Sequence, residues 1–347
     1  MGMKVVFTDH SLFGFADASS ILMNKVLKFT LADIHAAICV SHTSKENTVL
    51  RACIPPDRVA VIPNAVDASQ FAPYPSKRRN DGGVTIVCLS RLVYRKGIDL
   101  LAAALPVLCR RHPNVNVLIG GDGPKRPLLE QVVEEEGLQG QVTLLGALPH
   151  DKVRDLLIQG HIFMNCSLTE AFCMALVEAA AAGLLVVSTA VGGVPEVLPP
   201  DMMVMAEPSP DGILLAVDIA LGKVKAVEPW TFHKAAQKMY NWHSVARRTE
   251  HVYTNVLHGG QNEKGGEEQG GGEGRDDSMT GRLKRYYKCG VWFGKICCCV
   301  VAVDWLYWKY LEWKDPVDSF EKVPNVPLSL YAPGKQRRRS SRNKMEH

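Results

Sequence analysis

Two glutamates eight positions apart, Glu170 and Glu178, bracket a run of Ala, Leu, Val and Met that closes on Gly183. The composition of that run favours a helix, and Gly183 suits the left-handed residue just past its end. Glu178 is therefore expected inside the helix and Glu170 just ahead of its first turn. A carboxylate on so apolar a helix is costly to bury unless it meets hydrogen-bond donors, and the hydroxyls of a sugar or a ribose are such donors. The helix N-terminus, with its unpaired amides and positive dipole end, favours an anionic diphosphate. Taken alone, the pair fits equally a solvated Glu178 and a Glu170 that merely biases the first turn. The neighbouring segments decide between the two.

Upstream, Val84-Thr-Ile-Val-Cys-Leu-Ser reads as a buried strand that delivers Arg91 and Lys96 within Ser90-Arg-Leu-Val-Tyr-Arg-Lys-Gly97. In an open parallel α/β sheet ligands bind beyond the C-terminal edges of the strands, so two cations there suit a phosphate or diphosphate. A second strand, Val115 to Ile119, runs into Gly120-Gly-Asp-Gly-Pro124, where Gly121 and Gly123 let the backbone approach a ligand closely. Further strands are expected at Val142 to Leu145, around Ile162 to Met164, and at Leu184 to Ser188, the last ending in the turn Thr189-Ala-Val-Gly-Gly-Val-Pro-Glu196. Strand, helix and glycine turn alternate as in a Rossmann-like unit. Before it, strands are expected at Val5 to Thr8, Ala36 to Val40 and Val59 to Ile62, with two helices between them.

The order Ser90-Arg-Leu…Lys96-Gly, Gly121-Asp-Gly-Pro, Glu170-x7-Glu178 and Val191-Gly-Gly-Val-Pro-Glu196 resembles the retaining glycosyltransferases of the GT-B fold. Within that group, Val6-Phe-Thr-Asp-His-Ser-Leu-Phe-Gly-Phe, Val61-Ile-Pro-Asn-Ala-Val-Asp and Ser167-Leu-Thr-Glu-Ala-Phe-Cys-Met are similar to the family that places N-acetylglucosamine on phosphatidylinositol at the start of glycosylphosphatidylinositol anchor synthesis. The similarity runs from about residue 4 to residue 257, with a looser echo near residue 300.

The resemblance implies an α/β GT-B fold of two facing Rossmann-like domains with a C-terminal membrane helix. It implies UDP-N-acetylglucosamine (UDP-GlcNAc) as donor, phosphatidylinositol as acceptor, and other subunits of a membrane-bound complex as partners. Catalysis would fall to Arg91 and Lys96, which neutralise the departing diphosphate, and to Glu170, which faces the donor sugar. Donor binding would fall to Glu178 on the ribose, to the turn at Gly121 and Gly123, and to the amides around Phe172 and Cys173. Where the wider family usually has Glu-Gly-Phe-Gly, this chain has Glu-Ala-Phe-Cys. His10, after the first strand, is either an acceptor-side group or a structural loop histidine. The chain has no Asp-x-Asp pair, the commonest metal-diphosphate clamp, so transfer is expected to need no metal and no cofactor.

The expected organisation is a remnant of the N-terminal domain at 1–82, a nucleotide-sugar domain at 83–228, crossing helices at 229–257, a linker at 258–281, a membrane helix at 289–311 and a basic tail at 312–347. Only some eighty residues precede the donor domain, so the first domain is expected to be shortened. The family's glycine loop and histidine-containing segment would precede Met1, and transfer by this chain alone is not expected. The alternatives are a form that keeps donor binding and complex assembly without turnover, and a related transferase with a soluble acceptor.

Composition agrees with a folded chain, at 46% apolar and 22% charged, and a net charge of +4 gives no reason to expect a nucleic-acid partner. The ten cysteines lack zinc-like spacing; Cys39, Cys53, Cys88, Cys109, Cys166 and Cys173 read as reduced core residues of a cytosol-facing domain, and Cys297, Cys298 and Cys299 as membrane-facing thiols. Asn165-Cys-Ser167 is formally a glycosylation sequon but is expected to be unmodified beside the donor site. Residues 258–281 hold nine glycines and six acidic residues, too little apolar surface to order themselves. The stretch from Cys289 to Leu311 has the length of a membrane span despite Lys295, Asp304 and Lys309, and Trp305, Tyr307, Trp308, Tyr310 and Trp313 form an interfacial belt. The expected setting is the endoplasmic reticulum membrane, crossed once, with the enzyme domain in the cytosol.

Overall fold

The computed structural model describes residues 3–12, 18–79, 81–258 and 276–314. Most of the expected linker, 259–275, and the tail from 315 onward lie outside the described residues. The first unit comprises β1 (Val6–Asp9), α1 (Ala18–Leu31), β2 (Ala36–Cys39), α2 (His42–Ala52) and β3 (Val59–Val61), with the three strands parallel in the order β1-β2-β3.

The second unit follows as β4 (Val84–Leu89), α3 (Ile98–Arg111), β5 (Val115–Gly120), α4 (Arg126–Glu135), β6 (Val142–Gly146), α5 (His150–Leu157), β7 (Ile162–Asn165), α6 (Met174–Ala181), β8 (Leu185–Thr189), β9 (Met203–Ala206) and α7 (Pro210–Lys223). Its six parallel strands are ordered β6-β5-β4-β7-β8-β9. Helices cover both faces, so β7 and β8 are buried along their whole length, and their sequences open as apolar runs rather than alternating ones before closing on Asn165 and on Ser188-Thr189. β9 is an addition to the expected strands: Met203-Val-Met-Ala is a short run after two prolines, and only its pairing with β8 reveals it.

The strand order fixes where a ligand can sit. β4 and β7 are neighbours, and the chain leaves β4 toward β5 on one side and β7 toward β8 on the other. Their diverging C-terminal loops open a crevice, the ligand position of doubly wound sheets. Those loops are Ser90–Gly97 and Cys166–Cys173.

Beyond α7, α8 (Pro229–Met239) and α9 (Trp242–His258) cross back to the first unit. The Val66 amide donates to the Tyr240 carbonyl at 2.8 Å, and the Arg248 guanidinium donates to the Val61 carbonyl. Two more helices follow, α10 (Met279–Tyr287), capped by Ser278, and α11 (Val291–Lys314). Arg282 and Arg285 both bind Asp33, at 2.8 and 2.6 Å, which fastens α10 to the first unit. The observed helices thus begin inside the expected linker and extend the expected membrane segment to Lys314. α11 is long and apolar enough to cross a membrane, and the other described residues leave it largely uncovered.

Candidate active site

Lys96 closes the loop after β4, and backbone contacts bring that loop against the one after β7. Leu168 donates its amide to the Arg95 carbonyl at 2.9 Å. Gly97 has a left-handed φ of 65°, and a Cβ on it would lie 1.7 Å from the Cys166 carbonyl oxygen, so no other residue fits there. This approach lets the Lys96 ammonium form an ion pair with the Glu170 carboxylate, with the two side chains 23% and 13% exposed. The Ser167 hydroxyl lies 2.8 Å from both Glu170 Oε1 and Asn165 Oδ1. Asn165 in turn donates to Ser188 Oγ at 2.9 Å, and Thr189 donates to the Ser167 carbonyl. A buried polar chain running under the ends of β7 and β8 thus fixes Glu170, since each member takes its rotamer from the next. The sequon is part of this chain: Asn165 is 8% exposed and its amide is engaged, which leaves no access for a glycan.

Arg91 is exposed on the same loop, and no described residue pairs with its guanidinium. The expected glycine turn holds that loop. Leu92 donates to the Asp122 carbonyl at 2.9 Å, and the Lys125 amide donates to the Leu92 carbonyl at 2.9 Å. A Cβ on Gly121 would lie 1.8 Å from the Ser90 carbonyl oxygen, and one on Gly123 would lie 2.5 Å from that of Leu92. Both glycines therefore shape the Arg91 loop, whatever they offer a ligand.

At the start of α6 the side chains and the backbone part company. Phe172 is buried edge-on against Tyr240, with ring centroids 5.4 Å apart, so its side chain belongs to the core and only its amide is left to serve a ligand. Cys173 takes a left-handed φ of 66° and gives α6 no side-chain cap. Among the described residues no acceptor meets the amides of Phe172 and Cys173, which leaves orphan donors at the positive end of a helix. Burial, followed by the neighbouring Glu170 charge, pushes the Cys173 thiol up to about 12, so it stays protonated and is no nucleophile. Glu178 stands half-buried on α6, and its carboxylate has no hydrogen-bond partner among the described residues. Desolvation raises its pKa above the usual carboxylate value, against an opposing effect of His150.

His10 is exposed, lining a cavity of about 520 Å³ with Thr8, Asn64, Met174, Trp242 and Val245. That cavity lies between the C-terminal edge of the first sheet, α9 and the first residue of α6. His10 and the opening of α6 are thus brought to one space.

Two residues that sequence reasoning missed belong to this region. His150, at the start of α5, is the group that opposes the desolvation of Glu178. Glu196, which ends the second glycine turn, accepts the His42 amide at 2.6 Å, the Thr43 amide at 2.9 Å and the Thr43 hydroxyl at 2.7 Å. It thereby caps α2 of the first unit from the second, at a helix whose own first turn has no acid. That missing acid was the available local signal. Among the described residues no three His, Cys, Asp or Glu side chains gather as a metal-binding group.

Comparison with known proteins agrees with this architecture. The chain matches the family described as glycosyl transferases group 1 over residues 74–224 and Glycosyltransferase Family 4 over residues 1–70. It is 51% identical, over 94% of its length and 70% of the relative's, to a phosphatidylinositol N-acetylglucosaminyltransferase subunit of Arabidopsis thaliana. It is 47% identical, over 97% of its length and 71% of the relative's, to the gpi3 subunit of the same transferase in Schizosaccharomyces pombe. Among solved structures, Anabaena HepE in complex with UDP and glucose superposes with a TM-score of 0.61 at 20% identity, covering 72% of this chain and 71% of that one. The fold is GT-B.

Proposed function

We propose a function from one premise: the chain belongs to the family of phosphatidylinositol N-acetylglucosaminyltransferase subunits that includes gpi3. It is a retaining glycosyltransferase that moves N-acetylglucosamine from UDP-GlcNAc to phosphatidylinositol, the first step of glycosylphosphatidylinositol anchor synthesis. The observation that carries this reading is the Lys96–Glu170 pair at the β4/β7 switch point beside the open amides of α6. A nucleotide diphosphate sugar offers anionic phosphates for the cations and amides, and hydroxyls for the carboxylates.

In this reading the diphosphate lies between Arg91, Lys96 and the amides of Phe172 and Cys173. An ammonium has three donors, so Lys96 can keep Glu170 while a second N–H meets a phosphate oxygen. As the sugar–phosphate bond breaks, charge grows on the leaving diphosphate. Preorganised donors aimed at that charge lower the barrier more than they tighten the ground state. Glu170, fixed by Ser167, orients the sugar through its hydroxyls. Glu178 takes the ribose hydroxyls, which supply the donors it lacks. The acceptor enters from the His10 side, where the cavity reaches Met174. The fixed cations do the electrostatic work of a divalent ion, so transfer proceeds without a metal.

Glu178→Ala and Arg91→Ala are each expected to weaken UDP binding by about 1–3 kcal/mol, roughly 5- to 150-fold, as a charge-assisted hydrogen bond is lost. Calorimetry on the purified chain, with EDTA present throughout, measures both. Unchanged affinity in the two variants, or a strict Mg²⁺ requirement, contradicts the assignment.

The setting follows from a lipid acceptor. Confinement to the bilayer supplies proximity that a soluble encounter lacks. α11 crosses the endoplasmic reticulum membrane, the catalytic units lie in the cytosol, and partner subunits of the transferase surround the span and shelter Asp304. Removing residues 289–311 is expected to move the protein from the carbonate-resistant membrane pellet to the extractable fraction. A deletion variant that stays in the pellet would place the anchor elsewhere.

A further inference from the structure

At the edge of the first sheet opposite the crevice lies a second cavity, of about 410 Å³, between α1, the end of α2 and α10. Its lining includes Ile34, just ahead of β2, and Ile54 and Arg58, just ahead of β3, so it opens at the N-terminal ends of the strands, whereas His10 and Lys96 follow C-terminal ends. The length of the sheet separates it from the donor crevice.

The charge of this cavity is lopsided. Lys28, Arg58, Lys284, Arg285 and Lys288 line it against one acid, Asp276. Asp276 already accepts the Ser278 amide at 2.9 Å, and Arg285 is held by Asp33. The ammonium groups of Lys28, Lys284 and Lys288 form no hydrogen bond or ion pair with any described residue, while the Lys28 carbonyl accepts the Cys289 thiol at 3.4 Å. Beneath these ammonium groups the floor is apolar, with Leu31, Ala52 and Ile54 buried at 4–6% exposure. Cations over an apolar floor match an amphiphilic anion better than a free one, because the floor gains nothing from a hydrated ion.

The cavity also stands where a membrane would supply such a ligand. Cys289 lines it, and α11 begins two residues later at Val291. α1, which carries Lys28, turns Ile21, Leu22 and Val26 outward at 51%, 65% and 52% exposure, with Lys25 exposed among them. A helix with exposed apolar residues and lysines beside them suits the interface of a bilayer.

We propose that this cavity binds the headgroup of an anionic glycerophospholipid from the bilayer that α11 crosses. Its phosphate sits among Lys28, Lys284 and Lys288, and its glycerol and first acyl carbons lie over Leu31 and Ile54. The site is separate from the acceptor's and rests on α11 as a membrane span, not on the transfer reaction. A lipid held there would fix α10 and the first unit against the membrane surface.

The test titrates the full-length chain, purified in uncharged detergent micelles, with dioctanoyl phosphatidylglycerol, dioctanoyl phosphatidylcholine and inorganic phosphate, read by calorimetry. The anionic phosphatidylglycerol is expected to bind at least about tenfold more tightly than the other two. The triple variant Lys28→Glu, Lys284→Glu, Lys288→Glu should lose that preference, while the equally charged Lys223→Glu, Lys225→Glu, Lys234→Glu keeps it. Should the first variant melt early, Lys28→Gln, Lys284→Gln, Lys288→Gln serves in its place and must also lose the preference. Equal binding of the two lipids, phosphate binding as tightly as the lipid, or an equal loss in the distant triple variant overturns the proposal.

Discussion

Lys96→Ala is expected to lower N-acetylglucosamine transfer by about 10²–10³-fold, the usual cost of removing one fixed donor from a developing negative charge. The loss falls on the rate more than on donor affinity, because Arg91 and the α6 amides still bind the ground-state diphosphate. A second consequence is local. Glu170, 13% exposed, loses its counter-ion and is left with uncharged partners, the Ser167 hydroxyl and the Cys173 thiol. Lys96→Arg keeps the charge but presents a planar fork where a compact ammonium fits, and should recover only part of the rate. Transfer assays in membranes with the partner subunits present, read alongside melting temperature, separate the two roles. A variant that melts early yet transfers normally when folded would make Lys96 structural.

Glu196→Ala should produce the other large effect, and of a different kind. Three hydrogen bonds from His42 and Thr43 end on this one carboxylate, and they join the first unit to the second. Capping bonds at a helix N-terminus contribute about 0.5–2 kcal/mol, and partial exposure keeps the figure near the lower half of that range. Transfer should fall because the acceptor and donor walls lose their fixed relation, while UDP binding to the second unit stays the same. Burial opposes ionisation of Glu196, but the Thr43 and His42 amides and the Thr43 hydroxyl outweigh it and hold its pKa below the usual value. Its contribution is therefore complete above the unfolded carboxylate pKa of about 4.3 and disappears as the pH falls through the lowered folded value. Melting curves of the native chain and Glu196→Gln should differ at neutral pH and converge in acid. Curves that stay parallel to low pH would remove the latch.

The contrast between these two residues shows what the sequence made legible. Lys96 and Glu170 were readable because each follows a buried apolar strand, and the edges of parallel strands are where such a fold binds ligands. The switch point itself needed only the alternation of strands and helices. Glu196 and its partner Thr43 lie 153 positions apart, and the one local signal, an α2 first turn without an acid, does not say which distant carboxylate fills it. His150 beside Glu178 is hidden for the same reason. Phe172 was a candidate because its amide opens α6, but the burial of its ring against Tyr240 depends on a helix more than sixty residues downstream. The first strands were visible as apolar runs, whereas β9 was not, since four residues after a Pro-Pro turn carry too short a pattern to register.

The central claim is that a UDP sugar occupies the crevice between the β4 and β7 loops, and hydrogen exchange of the full chain with and without UDP-GlcNAc tests it most directly. Peptides covering 90–97 and 171–177 should exchange more slowly in the presence of the donor. The amides of Phe172 and Cys173, unpaired in the free chain, should show the largest slowing as they close on phosphate oxygens. Unchanged exchange in both segments, at a concentration where UDP-GlcNAc binds, would contradict the account.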